Sequence, residues 1–369
     1  MQFTNLGLSF SEKWNIEKNI LKVLNSAHFL NSSQTGIFEE NFSRFIGSDN
    51  TVSCANGTDA LYLALASLDL PIGTEVIMAS NCGNYASSMA VRLGLIPVFV
   101  DIEYSSGQLD VNLLENAICE RSGALIVTHL YGIAHYQLQK IKEFCQSRNI
   151  KLIEDVAQAA GGLSGQNRLG TFGDLSTFSF YPTKNLGALG DAGAILTSDH
   201  NLAERLRMLK QYGWGKKYNS VLANGINSRM DEIQASVLNY RLIKLDKANK
   251  TRQKIIDSYQ AAINSPYISV LGSGLQPLNN VGHLAVLRST KIAKVKKVLD
   301  EFEIPTSIHY PIPDHFQISM QNKFKVSGSL KNTELIAKEI LSLPIYPSLK
   351  KKDSSLIKKA LERASYELG

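Results

Sequence analysis

The chain has no run of about 18 apolar residues, so nothing in it reads as a membrane-spanning helix. It is poor in cysteine. Cys54, Cys82, Cys119 and Cys145 are scattered with no C-x-x-C pair, which argues against a disulfide framework or a thiolate zinc site and fits reduced thiols of a cytoplasmic protein. The seven histidines show no metal-ligand spacing, so no metal is expected. The start, MQFTNLGLSFSEKWNIEKNI, lacks a basic-then-apolar leader, and no signal peptide is expected. Repeats and low-complexity tails are missing too. The net charge of +6 is mild for this length. Its basic clusters, KIAKVKK from Lys291 and LKKKDSSLIKK from Leu349, fall on helical patterns and read as solvated faces, with no nucleic-acid reader motif beside them.

What is present is a sizeable core: 44% hydrophobic residues over 369 positions. From about Thr51 to Ser198, β-branched runs alternate with helix-length segments. TVSCA, EVIMA, PVFVD, ALIVTH, KLIEDV, DLSTFSF and AGAILTS read as strands, and DALYLALASL, YASSMAVRLG, VNLLENAICE and YQLQKIKEFCQSR as helices between the first five. That alternation implies crossover connections and a largely parallel seven-stranded sheet with helices on both faces. The last two strands are joined only by a glycine-rich bend, which allows them to be antiparallel. A single long helix is expected from Arg229 to about Ile263. Residues 1–245 would form a large α/β domain, with an N-terminal helical segment, and 246–369 a smaller α+β domain.

Four stretches fall where strand carboxyl ends meet helix starts, the usual place for ligands in such sheets. Asn56-Gly57-Thr58-Asp59 offers a glycine and a helix N-terminus, a seat for phosphate or simply a capped helix. Glu154-Asp155-Val156-Ala157-Gln158 ends an apolar strand in carboxylates that must be paired or protonated. In SFYPTKNLGALGDAGA, from Ser179, Lys184 is the one lysine of a glycine-rich bend, either snorkelling to solvent or kept for its chemistry. Finally, Asn227-Ser228-Arg229-Met230-Asp231-Glu232 reads as a helix start with Ser228 as N-cap, for which Asn227 is not needed. A lysine, a buried Asp and an anion seat are the three things pyridoxal phosphate requires: an amine for its aldehyde, a partner for its ring nitrogen and a place for its phosphate.

These motifs in this order resemble the DegT/DnrJ/EryC1/StrS sugar aminotransferases, of the aspartate-aminotransferase-like fold type I. The resemblance runs through ANGTDAL at Ala55, THLYG at Thr128, EDVAQAAG at Glu154, GTFGD at Gly170, the Ser179 stretch, NSRMDEIQA at Asn227, HYPIPDHFQ at His309 and LSLPIYP at Leu341. It implies that Lys184 binds the cofactor aldehyde and shuttles the proton, and that Asp155 pairs with the ring nitrogen. Gln158 would lie by the ring, Gly57, Thr58 and Ser179 would hold the phosphate, and Asn227 would reach the phosphate of a neighbouring subunit in a homodimer with shared sites. His309 and Tyr310 would face the sugar nucleotide. The implied reaction moves the amino group of L-glutamate, through the pyridoxamine form of the cofactor, to a nucleotide-linked, dTDP-type 3-keto-6-deoxyhexose. A 4-keto sugar is the alternative.

One stretch departs from the family. Where many members carry an aromatic residue that stacks on the cofactor, this chain reads Asn81-Cys82-Gly83-Asn84-Tyr85, with glycine at the aligned place. Tyr85 is left with two roles, stacking from a shifted loop or starting a helix. Sugar dehydratases on this scaffold have histidine at the lysine position, so Lys184 counts against one. A non-catalytic regulator would have no reason to keep Lys184, Asp155, Gln158 and Asn227 together. An ordinary amino-acid aminotransferase would be expected to show a C-terminal arginine for a second carboxylate, and neither Arg288 nor Arg363 stands in such a context.

Overall fold

The computed structural model describes residues 1–368. Helices α1 (Phe10–Ser26) and α2 (Ser33–Ile46) come first. The alternation follows as β1 (Asn50–Cys54), α3 (Gly57–Ser67), β2 (Glu75–Ala79), α4 (Tyr85–Arg92), β3 (Ile96–Val100), α5 (Leu114–Ala117), β4 (Ser122–Thr128), α6 (Leu138–Ser147) and β5 (Lys151–Asp155). A short hairpin, β6 (Leu163–Ser164) with β7 (Asn167–Arg168), precedes β8 (Leu175–Ser179) and β9 (Gly193–Thr197). Next come α7 (His200–Leu209), the hairpin β10 (Trp214–Lys216) and β11 (Asn219–Ser220), α8 (Glu232–Leu242) and α9 (Leu245–Gln260). The remainder holds β12 (Ser269–Val270), β13 (Ala285–Arg288), α10 (Ile292–Glu301), β14 (Lys325–Val326), α11 (Lys331–Glu339), β15 (Ile340–Leu343) and α12 (Lys351–Leu368).

The large sheet has the order β1-β9-β8-β5-β4-β2-β3-β14. Its β8 and β9 pair antiparallel, as their short connection permits, and β9 is the one strand that runs against its neighbours. The carboxyl ends of β1, β2, β4, β5 and β8 therefore share one edge. The sheet has eight strands, not seven. The extra one, β14, is only Lys325–Val326, exposed and lying parallel to the outer side of β3, too short to leave a pattern in the sequence.

Strand alternation sorts the core into two layers. Val76 and Met78 of β2 pack with the α3, α4 and α7 side, while Ile77 and Ala79 pack with α2, α6 and α8. Helix α3 is buried along its length from Ala60 to Ser67, which is why GTDALYLALAS is apolar all round. The expected helix from Arg229 to Ile263 is two helices, broken at Ile243 and Lys244. No proline or glycine marks the break. It falls where α8, packed against α1 and α2, gives way to α9, whose Ile256 and Tyr259 belong to a separate cluster. That third cluster joins α9, α10 and α12 to the antiparallel sheet β12-β13-β15. Between its pieces the chain returns to the large sheet, where Met320 and Leu330 pack beside Phe99. Among the described residues no helix is long and apolar enough to cross a membrane.

Candidate active site

A cavity of about 1280 Å³ opens at the carboxyl edge of the large sheet. It is lined by the start of α3, the ends of β5 and β8, and the glycine-rich bend after β8. At α3, Asn56 is the N-cap: its Oδ1 accepts from the Asp59 amide at 2.8 Å and its carbonyl from the Ala60 amide at 3.0 Å. The amides of Gly57 and Thr58 have no protein acceptor and stand at the positive end of the helix dipole. Gly57 is required by close approach, not by its backbone angles. A Cβ there would lie 2.5 Å from Cβ of Ser179, the residue that ends β8 on the opposite side of the seat.

Two neighbouring carboxylates on β5 have opposite fates. Glu154 faces into the protein and accepts from the amides of Gly170, Phe172 and Gly173 at 2.9, 2.7 and 2.9 Å, with His129 Nε2 at 3.2 Å. Asp155 faces the cavity with thinner support, the Ala157 amide at 3.1 Å and Thr128 Oγ1 at 3.5 Å. Burial raises the Asp155 pKa. The Ala157 amide and the charge of Lys184 work against that rise without reversing it. A cation brought against Asp155 would therefore be held strongly.

Lys184 lines the same cavity and makes no ion pair. Burial lowers its pKa to about 8, against the opposing charge of Asp155. A useful fraction of the amine is thus neutral near pH 7 to 8, the form that can attack an aldehyde or take a proton. Nothing here resembles a snorkelling surface lysine.

Gln158 is fixed at both ends of its amide: Oε1 accepts from the Tyr131 amide at 2.7 Å, and Nε2 donates to Tyr310 Oη at 3.0 Å. His309 lies in the cavity wall, its Nδ1 2.9 Å from Ser342 Oγ, with its pKa lowered by burial and then by Lys184. Gly83 has a φ of +76°, and a Cβ on it would meet the rings of Tyr85 at 2.9 Å and Tyr310 at 3.1 Å. The glycine thus makes room for two tyrosines that meet edge to face, centroids 6.1 Å apart. Tyr85 is both the first residue of α4 and part of the cavity wall.

Asn227 is exposed and does not line the cavity of its own chain. Ser228 is not the cap expected of it. The helix starts later, at Glu232, because residues 227 and 231 form extended bridges to Gln211 and Leu30. Ser228 Oγ instead accepts from the Ala55 amide at 3.0 Å and donates to Asp59 Oδ2 at 2.7 Å, bracing the loop before α3. Sequence reasoning also missed several wall residues. These are Asn185, Arg252, His283 and the segment Phe3–Ser9, which lies along the cavity before α1. HLAVLRS reads only as a strand, and nothing local in the first nine residues announces where they pack. The lysine of the bend was the one clear pointer, since Asn185 follows it directly.

The model of the DegT/DnrJ/EryC1/StrS aminotransferase family matches residues 11–362. The dTDP-3-amino-3,6-dideoxy-alpha-D-galactopyranose transaminase of Aneurinibacillus thermoaerophilus is 38% identical over 356 residues, covering 95% of each chain. The dTDP-3-amino-3,4,6-trideoxy-alpha-D-glucose transaminase of Streptomyces venezuelae is 37% identical over 337 residues, 90% of this chain and 87% of that one. Among solved structures, S. venezuelae DesV superposes with a TM-score of 0.93 at 34% identity, over 99% of this chain and 98% of the other. The fold, the order of the motifs and these similarities agree: the chain belongs to the DegT/DnrJ/EryC1/StrS aminotransferase family.

Proposed function

We propose that the protein is a pyridoxal-phosphate-dependent aminotransferase that takes the amino group of L-glutamate and passes it to a dTDP-linked 3-keto-6-deoxyhexose. The observation that carries this reading is the pairing of Lys184 and Asp155 in one cavity, their pKa values pushed in opposite directions, beside an open helix N-terminus. The residues fit the cofactor. Gly57 lets the start of α3 close against Ser179, the Gly57 and Thr58 amides are free to donate, and Asp155 accepts only from Ala157 and Thr128. When bound, the cofactor supplies an aldehyde that carries the amino group and a ring that accepts electron density from the carbon losing its proton. Asp155 would keep a ring nitrogen protonated by pairing with it. Lys184 Nζ would hold the aldehyde at rest and then move the proton between the amino-bearing carbon and the cofactor carbon. Gln158, already fixed by Tyr131 and Tyr310, would sit against the ring, with Tyr85 as the candidate for stacking on it.

The cavity exceeds the roughly 300–1,000 Å³ of a common small-molecule site, which suits a cofactor and a nucleotide sugar together. The two transaminases compared above are both named for dTDP-linked 3-amino sugars, which favours the 3-keto acceptor. His309 and Tyr310 would face that sugar. A homodimer is part of the reading. Phe10, Trp14, Leu21 and Leu24 form an exposed apolar stripe on α1, opposite its buried Ile16 and Val23, and Asn227 lies outside the cavity of its own chain. The four free cysteines suit a cytoplasmic enzyme.

The test is spectroscopic. Glutamate should convert the cofactor absorbance of the holoenzyme to that of the amine form. The original spectrum should return on adding the dTDP-linked 3-keto sugar and stay absent with the 4-keto isomer. Return with only the 4-keto sugar would transfer the assignment to that isomer, and return with neither would reject a dTDP-hexose acceptor.

A further inference from the structure

Arg252 is a buried cation without an anion. More than nine-tenths of the residue is buried, in the wall of the cavity that holds Lys184. Its Nη1 donates to the carbonyls of Ile345 at 3.1 Å and Gly282 at 3.5 Å. Its Nε is buried with no partner, and Nη2 makes no bond to protein. No carboxylate of the described residues lies within 4 Å of it. The other arginine on this side of the cavity, Arg241, is by contrast paired with Glu12 at 3.1 Å. Burial draws the Arg252 pKa down to about 10, still well above neutrality, so the group remains charged. A buried guanidinium held only by carbonyl dipoles is costly, and the cost is recovered when an anion binds.

The position of Arg252 indicates which anion. Asn249 and Arg252 are three residues apart on α9 and share a face. Asn249 Oδ1 accepts from Asn185 Nδ2 at 2.8 Å, and Asn185 is the residue after Lys184. Asn185 Oδ1 also lies 3.3 Å from His283 Nδ1, and the His283 pKa is lowered first by burial and then by the charges of Lys184 and Arg252. Arg252 therefore stands in the same cavity wall as Lys184, one helical turn from the Asn249 that holds the residue after the lysine. Nη2 is the guanidinium nitrogen that has no protein partner and is not closed off, while Nε beside it is covered and unpaired, so a carboxylate would approach from the Nη2 side. An amino acid reacting at Lys184 must bring a carboxylate within a few bonds of the reacting carbon.

We infer that Arg252 is the carboxylate seat for the amino donor, with its Nη2 side paired to one carboxylate of a dicarboxylic amino acid. This rests on the proposed transamination from glutamate. The role was hidden from the sequence because Arg252 lies inside a helix pattern, upstream of the C-terminal region where such an arginine would be sought.

Amino uptake from glutamate is followed by cofactor absorbance in holoenzyme carrying Arg252→Gln or Arg252→Lys. The Gln variant should need roughly 10–100-fold more glutamate for half-saturation, with a limiting rate changed far less, and Lys should recover part of the loss. Calorimetric binding of glutarate, which has both carboxylates and no amine, should weaken in parallel. Glutamate half-saturation unchanged in Arg252→Gln would overturn the inference. So would a loss confined to dTDP binding, which would give the seat to the acceptor's diphosphate. If the variants do not fold, phenylglyoxal labelling of wild-type holoenzyme replaces them. Arg252 should be labelled and shielded by glutarate; no labelling, or shielding by dTDP alone, overturns the seat. A wild-type enzyme that takes no amino group from glutamate refutes the proposed donor, and the glutarate arms still decide the seat separately.

Discussion

The carboxyl edge of the large sheet and the wall that faces it across the cavity are built by different means. At the edge, most functional groups sit at a strand end or helix start, where a few consecutive residues fix them: Asn56 caps α3, Asp155 ends β5 and Ser179 ends β8, with Lys184 in the bend that follows. The facing wall is assembled from distant pieces, including Phe3–Ser9, α9, His283 and His309–Tyr310. Groups at the edge are positioned first by the strand ends and helix start that carry them, with distant residues such as Ser228 bracing those elements. Those in the wall depend on contacts made across more than a hundred residues, such as Gln158 with Tyr310 and Tyr131 Oη with the His309 carbonyl. The edge should therefore tolerate exchange of its chemical groups without unfolding, while the wall should couple chemistry to the packing of the C-terminal part.

Lys184→Ala is the strongest test of the edge. Nζ makes no hydrogen bond or ion pair that the fold uses, so the variant should fold with near wild-type thermal stability. Turnover should fall by roughly 10³-fold or more. Unimpaired multiple turnover with added pyridoxal phosphate would remove Lys184 from the mechanism. Comparable loss of stability and activity would show that its place in the bend is structural.

The adjacent carboxylates sharpen the contrast. Asp155→Asn should keep the fold and bind cofactor yet slow proton removal by about 10²-fold, because the amide cannot hold a proton on a ring nitrogen as a carboxylate does. Glu154→Gln should act on the fold. Its new NH₂ group would point at amide donors or at His129, and breaking this buried array should cost about 3–5 kcal/mol in chemical denaturation. If the two variants exchanged phenotypes, the division of roles along β5 would be wrong.

The sequence motifs near strand ends were readable because alternation and capping are local. Asp155 and Glu154 are adjacent on β5, so the period of a strand turns them to opposite sides, and Lys184 stands out as one charge among glycines. The central parallel strands followed from connection lengths, and the short bend left room for the antiparallel pairing that β8 and β9 adopt. What could not be read had no local signature. The break at Ile243 carries no proline or glycine, β14 is two residues long, and Arg252 looks like any helix arginine until its surroundings exclude a carboxylate. Ser228 was misassigned because a good capping residue was available for a different bond, to the loop before α3.

Asp314 tests the wall. Its carboxylate accepts from the Asn84 amide at 2.8 Å and from Ser87 Oγ at 2.9 Å, tying the C-terminal part to the loop that bears Gly83 and Tyr85. Burial nevertheless raises its pKa to about 6 from an ordinary 3.8. A raised carboxyl pKa means that the folded state holds the proton more tightly than the unfolded chain. The associated stability is complete below about pH 4 and is lost as pH rises through about 6, by up to about 3 kcal/mol. Denaturation of Asp314→Asn should lack that fall between pH 4 and 6. A wild-type protein with no such fall would show that the bonds from Asn84 and Ser87 outweigh burial.

Gly57→Ala carries the smallest expected effect and the most local one. The added Cβ would meet Cβ of Ser179 at 2.5 Å and its Oγ at 2.9 Å, close enough that β8 and the start of α3 must separate by several tenths of an ångström. Overpacking of this kind costs about 1–3 kcal/mol, offset in part by alanine's better helix propensity at the first turn. The separation opens the seat formed by the Gly57 and Thr58 amides, so cofactor should be lost on dialysis faster than from wild type while the apoprotein stays folded. Equal retention of cofactor would mean that the anion is held elsewhere, and that Gly57 serves only to let helix and strand approach.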